Sequence, residues 1–178
     1  MKYLYIVLTM IACLTACGTA TKQPALHDFG APELTMSGQN NASINVNAPT
    51  WLWDNRIRYR LLFAKASQIG FYGFDRWIAS PPELFEQLLV SSSKTMNYAL
   101  TIRLQDFEQQ FDTPDRAHVL LRFTVEAYST DKKQNLGSQV FTMQLPTKTP
   151  DAAGAINGFI DLTQRAVDNI QNWLVGLH

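Results

Sequence analysis

Hydrophobic side chains alternate with polar ones along much of the second half of the chain, and that period of two predicts strands. Tyr98, Leu100, Ile102 and Leu104 alternate with Ala99, Thr101, Arg103 and Gln105, in a strand expected to continue to Phe111. Asp112-Thr113-Pro114-Asp115 is a turn by residue type. Val119, Leu121, Phe123 and Val125 repeat the alternation over residues 118–128, residues 131–135 turn again, and residues 140–145 make a third strand, so the three form an antiparallel meander. Upstream, Ile44, Val46 and Ala48 alternate with Asn45 and Asn47 up to Pro49. Ile57, Tyr59 and Leu61 alternate with Arg56, Arg58 and Arg60, so residues 51–62 read as a strand with one apolar and one basic face. A first short strand is expected over residues 26–30, followed by a polar loop over 34–43.

Two segments switch to helical spacing. Ser80-Pro81-Pro82-Glu83 combines a serine cap, prolines in the first turn and an acidic residue behind them; Leu84, Phe85, Leu88 and Leu89 then share one face until Ser91-Ser92-Ser93. Thr149-Pro150-Asp151 repeats the signature, with Thr149 in the cap position. It opens a helix carrying Ile156, Phe159, Ile160, Thr163, Val167, Ile170 and Trp173 or Leu174 on one side. A half-apolar antiparallel sheet needs a cover, and these helices supply it. The expected architecture is α+β, a two-layer domain with a mainly antiparallel sheet covered by two helices.

The N-terminus is patterned differently. One basic residue, Lys2, precedes an apolar run from residue 3 to residue 16, which ends in Leu14-Thr15-Ala16-Cys17. This is the layout of a secretory signal closed by a bacterial lipobox, and the run is shorter than the roughly 17–25 apolar residues of a membrane-spanning helix. Cys17 is therefore the expected lipidated first residue of the mature chain. The expected organisation is a signal peptide at 1–16, a lipidated cysteine and small, polar tether at 17–25, and one domain at 26–178. In signals of this kind an acidic residue just after the cysteine marks inner-membrane retention. Gly18 and Thr19 are not acidic, which points to the outer membrane, with the body in the periplasm.

Composition narrows the chemistry. Of 178 residues, 15 are basic and 15 acidic, and loss of Lys2 with the leader leaves one acidic side chain in excess. That balance gives no electrostatic case for nucleic acid. Cys13 leaves with the signal and Cys17 is consumed by lipid, so no thiol is expected to serve redox chemistry or a metal. His27, His118 and His178 are not spaced as metal ligands, no G-x-S-x-G or phosphate-binding glycine loop is present, and no cofactor is implied. Asp106, Glu108, Asp112 and Asp115 cluster near the hairpin, where solvated edges are usually charged. Gly154 and Gly158 form a G-x-x-x-G that reads as close packing of a neighbour. No catalytic constellation emerges, and a non-enzymatic role is expected.

One cluster admits two readings. Trp51, Trp53, Phe71, Tyr72, Phe74 and Trp77 fall beside Arg56, Arg58, Arg60 and Arg76. They are core with some cation–π contacts, or in part a protein contact surface, since tryptophan, tyrosine and arginine are enriched in interface hot spots. Trp51, Trp53, Arg58, Arg60, Tyr72, Arg76 and Trp77 are the candidate interface residues, with Trp77 looking the most structural.

In order, Asn47-Ala48-Pro49-Thr50-Trp51-Leu52, Ile57-Arg58-Tyr59-Arg60, the run from Phe71-Tyr72-Gly73-Phe74 through Ser80-Pro81-Pro82-Glu83-Leu84, the segment Leu104-Gln105-Asp106-Phe107-Glu108-Gln109-Gln110-Phe111-Asp112 and Asp151-Ala152-Ala153-Gly154 resemble the ABC-type transport auxiliary lipoprotein family. Members accompany paraquat-inducible and other Mce-type lipid transport systems. The resemblance implies an auxiliary lipoprotein held in the outer membrane, partnered with a Mce-domain protein and an ABC permease, without ATPase activity of its own. It also implies a homo-oligomeric ring as one arrangement. The alternative is a stand-alone envelope lipoprotein that binds a small hydrophobic ligand between sheet and helices.

Overall fold

A computed structural model describes residues 22–30, 43–92 and 98–177. The expected signal, Cys17, most of the tether, nearly all of the polar loop, Ser93 and His178 lie outside these residues. In chain order the elements are β1 (Ala25–His27), β2 (Ile44–Asn47), a 3-10 turn (Thr50–Leu52), β3 (Arg56–Leu61), α1 (Leu62–Lys65), β4 (Ile69–Trp77), α2 (Pro81–Ser91), β5 (Ala99–Thr113), β6 (Arg116–Tyr128), β7 (Asn135–Pro146) and α3 (Ala152–Val175).

The predicted meander is present. β5, β6 and β7 pair antiparallel, with Leu104 opposite Phe123 and Phe123 opposite Phe141. The first hairpin is tighter than its residue types suggested: Thr113 pairs with Arg116, so Pro114 and Asp115 alone make the turn. The strands are ordered β1-β4-β3-β5-β6-β7, and β2 also joins β5. β2 and β3 both run parallel to β5, β2 beside Leu100–Arg103 and β3 beside Gln109–Phe111. Residues 104–108 of β5 therefore have no strand partner on that side, and β5 bulges there between Leu104 and Asp106. The single strand expected over residues 51–62 is three pieces: the turn at Thr50–Leu52, β3, and the short helix α1. The first strand stops at His27 rather than continuing to residue 30, where Gly30 takes a positive φ of 61°.

α2 and α3 cover one face of the sheet, as the two-layer α+β reading required. Aromatic rings fill the layer between. Phe107 stacks on Phe159 with centroids 3.9 Å apart, and Trp77 meets Phe29, Phe107 and Phe159 edge-on at 5.1, 6.0 and 6.0 Å. Further along, Phe85 of α2 meets Phe123 of β6. The two glycines of the G-x-x-x-G have different causes. A Cβ on Gly158 would stand 3.0 Å from a Val119 methyl, so α3 approaches β6 closely there; on Gly154 it would fall 1.9 Å from the Thr149 carbonyl oxygen, in the chain's own turn.

The helix starts rest on short polar contacts. Glu83 accepts from the Ser80 amide at 2.9 Å and from its hydroxyl at 2.5 Å, with Pro81 and Pro82 in the first turn of α2. The cap of α3 is Asp151 rather than Thr149. Its Oδ1 accepts from the Gly154 amide at 2.8 Å, while the Thr149 hydroxyl donates to the same oxygen at 2.6 Å. Pro150 therefore precedes the cap, and threonine's role is to hold the aspartate.

These donors, the Thr149 hydroxyl first and the Gly154 amide next, hold the Asp151 carboxyl below the usual carboxylate range. A lowered folded-state value means that the ionised cap stabilises above the unfolded value of about 4, and that this stabilisation fades as the pH falls through the folded one. Asp151→Ala should cost about 1 kcal/mol at neutral pH. In urea melts the difference from wild type should shrink below about pH 4; a gap that stays constant into acid would contradict the charge assignment.

Candidate functional site

The sheet face turned away from the helices carries the polar residues of the bulged strand and its neighbours. Asp106 stands opposite Arg122, Gln110 opposite His118 on β6 and opposite Arg60 on β3. The Arg60 guanidinium grips Glu108 with two hydrogen bonds, Nε to Oε1 at 2.7 Å and Nη2 to Oε2 at 3.0 Å, and gives Nη1 to the Ala66 carbonyl at 2.7 Å. Pairing with Glu108 holds Arg60 above arginine's ordinary value. Arg122 pairs with Asp106. Glu108 is only 4% exposed. That corrects its reading as part of a solvated hairpin edge, because Glu108 lies in the interior of β5, paired with β6 on one side and gripped by the Arg60 side chain of β3. Asp112 does lie at the hairpin, bonded to His118 Nδ1 at 3.1 Å, and Asp115 accepts from Thr113 at 2.6 Å.

The 3-10 turn lies where the β2–β3 side of β5 is unpaired. Leu52 is buried, while its neighbours Trp51 and Trp53 are 59% and 46% exposed. Trp53 donates its indole N–H to the Ala48 carbonyl at 3.2 Å. Arg58 donates Nη1 to the Trp51 carbonyl at 2.8 Å, and its Nε is buried with no hydrogen-bond partner. Burial pushes the Arg58 guanidinium below its ordinary value, with Glu108 opposing. Arg56 is occupied elsewhere, bonded to Asp54 and stacked over the Phe71 ring at 3.8 Å.

Two adjoining clefts result, both lined by Trp51 and Gln105. The smaller, about 210 Å³, adds Arg58, Arg60, Asp106 and Glu108; the larger, about 560 Å³, adds Arg103 and Arg122.

The candidate interface residues thus divide. Trp51, Trp53, Arg58 and Arg60 gather around the gap. Arg76 is half-buried on β4, beside Leu26 of β1 and Arg56 of β3. Tyr72 is half-buried too, with its hydroxyl donating to the fully buried Gln109 at 2.5 Å, and burial pushes its phenol up. Trp77 is 1% exposed and belongs to the core, so it is not an interface residue. Asp106, Glu108, Arg103 and Arg122 were not anticipated as companions of the tryptophan turn. The available signal was the break in alternation at Gln105-Asp106, two polar residues between the core side chains Leu104 and Phe107. Among the described residues no three His, Cys, Asp or Glu side chains are grouped to hold a metal ion, and no helix is long and apolar enough to cross a membrane.

No family model and no curated protein matches the sequence. Its three-dimensional structure does have counterparts. The crystal structure of protein XCC0632 from Xanthomonas campestris, of family DUF330, superposes with a TM-score of 0.67 at 12% identity, over 89% of this chain and 90% of that one. The chain shares the DUF330 fold. A second crystal structure, of an uncharacterised protein, superposes with a TM-score of 0.65, also at 12% identity, over 85% of this chain and 99% of its own length. At such identity the likeness is one of fold. The superpositions span nearly all of both solved chains.

Proposed function

We propose that this chain is a non-enzymatic auxiliary lipoprotein of an ABC/Mce-type transport system, anchored through Cys17 in the outer membrane with its body in the periplasm. There it helps move lipids or other hydrophobic molecules across the envelope. The observation that carries the reading is Leu14-Thr15-Ala16-Cys17 at the end of the apolar run, a few residues ahead of β1. Acyl chains on that cysteine give stable attachment without any spanning helix. The succession of sequence motifs that resembles the auxiliary lipoprotein family, running through the whole mature chain, supports the transport role.

In this reading the chain positions other proteins rather than transforming a substrate. Trp51 and Trp53, exposed beside Arg58 and Arg60, are the residue types that dominate interface energetics, and the partner is the Mce-domain protein or permease of the same system. A ring of copies would use two different patches meeting head to tail. With a photo-crosslinking amino acid at Trp53, the expected adduct contains a Mce-domain protein, a permease or a second copy. Repeated absence of any such adduct from protein that is still membrane-attached would overturn the docking role. Cys17→Ser tests the anchor separately: the variant should lose its lipid and move to the soluble periplasmic fraction. Membrane retention without a partner would contradict the assignment.

A further inference from the structure

Four arginines and two carboxylates line the two clefts over the gap. Each carboxylate already faces its own arginine, Glu108 hydrogen-bonded to Arg60 and Asp106 ion-paired with Arg122 although its Oδ2 makes no hydrogen bond. Arg58 and Arg103 form no ion pair among the described residues, and Glu108 and Asp54 act on Arg58 without pairing with it. Arg58 is the telling one. Its Nη1 is held by the Trp51 carbonyl, which fixes the guanidinium, yet its Nε is buried with nothing to accept its proton. Burying a donor without an acceptor destabilises the fold, and Arg56 and Arg60 on the same strand add like charge. The Nε–Nη2 side of a guanidinium is a fork that matches two oxygens of one anion.

We propose that the gap between β2 and β3 is an oxyanion site for a phosphate monoester, with Arg58 as its anchor, Arg103 as the second cation and the Trp51 indole covering the remainder of the molecule. Phosphate is favoured over carboxylate by charge. The clefts carry two positive charges in excess, and a phosphate monoester carries about −1.5 to −2 at neutral pH, whereas a carboxylate supplies one. The site shares Trp51 and Arg58 with the docking surface proposed above, but soluble anions read it without any partner protein, so its test does not depend on that docking.

The Arg58 Nε–H resonance reads the site directly. Titration of the protein with inorganic phosphate or glycerol 3-phosphate should shift this resonance, glycerol 3-phosphate binding more tightly because it reaches Trp51. Vesicles containing phosphatidate test a lipid headgroup as the source. A response to the soluble anions assigns a free metabolite, a response to vesicles alone assigns a headgroup, and either supports a phosphate site. Arg58→Gln should weaken binding about tenfold or more, while Arg116→Gln, at the distant hairpin, should leave it unchanged. Without ligand, Arg58→Gln should melt no lower than wild type, because the side chain replaced is a desolvated charge in no ion pair; phosphate should raise the melting temperature of wild type only. No shift with any of the three probes up to about 20 mM, where even a millimolar site would be near saturation, would overturn the proposal. So would an equal response to glutarate, or a marked loss of stability in Arg58→Gln without a loss of binding.

Discussion

Trp77→Ala is expected to lower the stability of the domain by about 3–5 kcal/mol, the cost of emptying a large aromatic site in a packed core. The indole is 1% exposed and touches three other rings, Phe29 ahead of the polar loop, Phe107 on β5 and Phe159 on α3. Phe107 and Phe159 are themselves stacked, so neither ring has room to swing into the void. Against a typical domain stability of about 5–15 kcal/mol, the loss removes a large fraction of the total. A urea melt should show the midpoint falling with an unchanged slope. Trp51→Ala is the matched control. Its side chain is 59% exposed, and surface substitutions stay within about 0.5 kcal/mol. Similar costs at the two positions would contradict the division between core and surface tryptophans.

The second large effect is expected at Glu108. Glu108→Gln should cost about 2–4 kcal/mol, somewhat under the figure for a fully buried pair, because the Arg60 side chain keeps 24% of its exposure against 5% for the glutamate. The glutamate accepts from Arg60 twice and from Gln110 at 2.7 Å, so its charge organises three donors. Removing it leaves a guanidinium partly desolvated without its ion-pair partner, with only the Asp106 carboxylate, not bonded to it, to favour its charge. Replacing both partners, as Arg60→Met with Glu108→Gln, should recover much of the loss, since an apolar stem has no charge to desolvate. A double variant as unstable as the sum of the two single ones would show that Arg60 and Glu108 act independently.

Much of this fold is legible along the chain, and the parts that are not share a cause. Ser80-Pro81-Pro82-Glu83 marks the start of α2 because capping is local chemistry, complete within four residues. The meander is legible for the same reason, since each strand's partner is the next strand. The parallel placement of β2 and β3 against β5 leaves no comparable trace: alternation tells which side chains face the core and is silent on which strand lies alongside. Thr149 has the right side chain for a cap, yet Asp151 two residues later is a better acceptor and takes the role. The candidate surface was half-legible. Composition singled out the tryptophans and arginines, but Trp77 goes inside and Trp51 and Trp53 outside through the phase of β4 and of the 3-10 turn, which composition does not contain. The acidic half of the site was hidden by the bulge at Gln105, which brings Asp106 and Glu108 onto the arginine face.

The strand order also sets a sequence of events in time. β5, β6 and β7 are joined by turns of a few residues, so they meet at little entropic cost, whereas Ile44 and Leu100 are partners across almost a third of the chain. β3 can pair with β4 as soon as that strand is made, but among the described strands β2 has β5 alone to receive it, and β2 and β3 dock on β5 at two separate stations. A ribosome releases β2 well before β5, so that strand must wait, while β1, β3 and β4 can already pair with one another, for its template to be made.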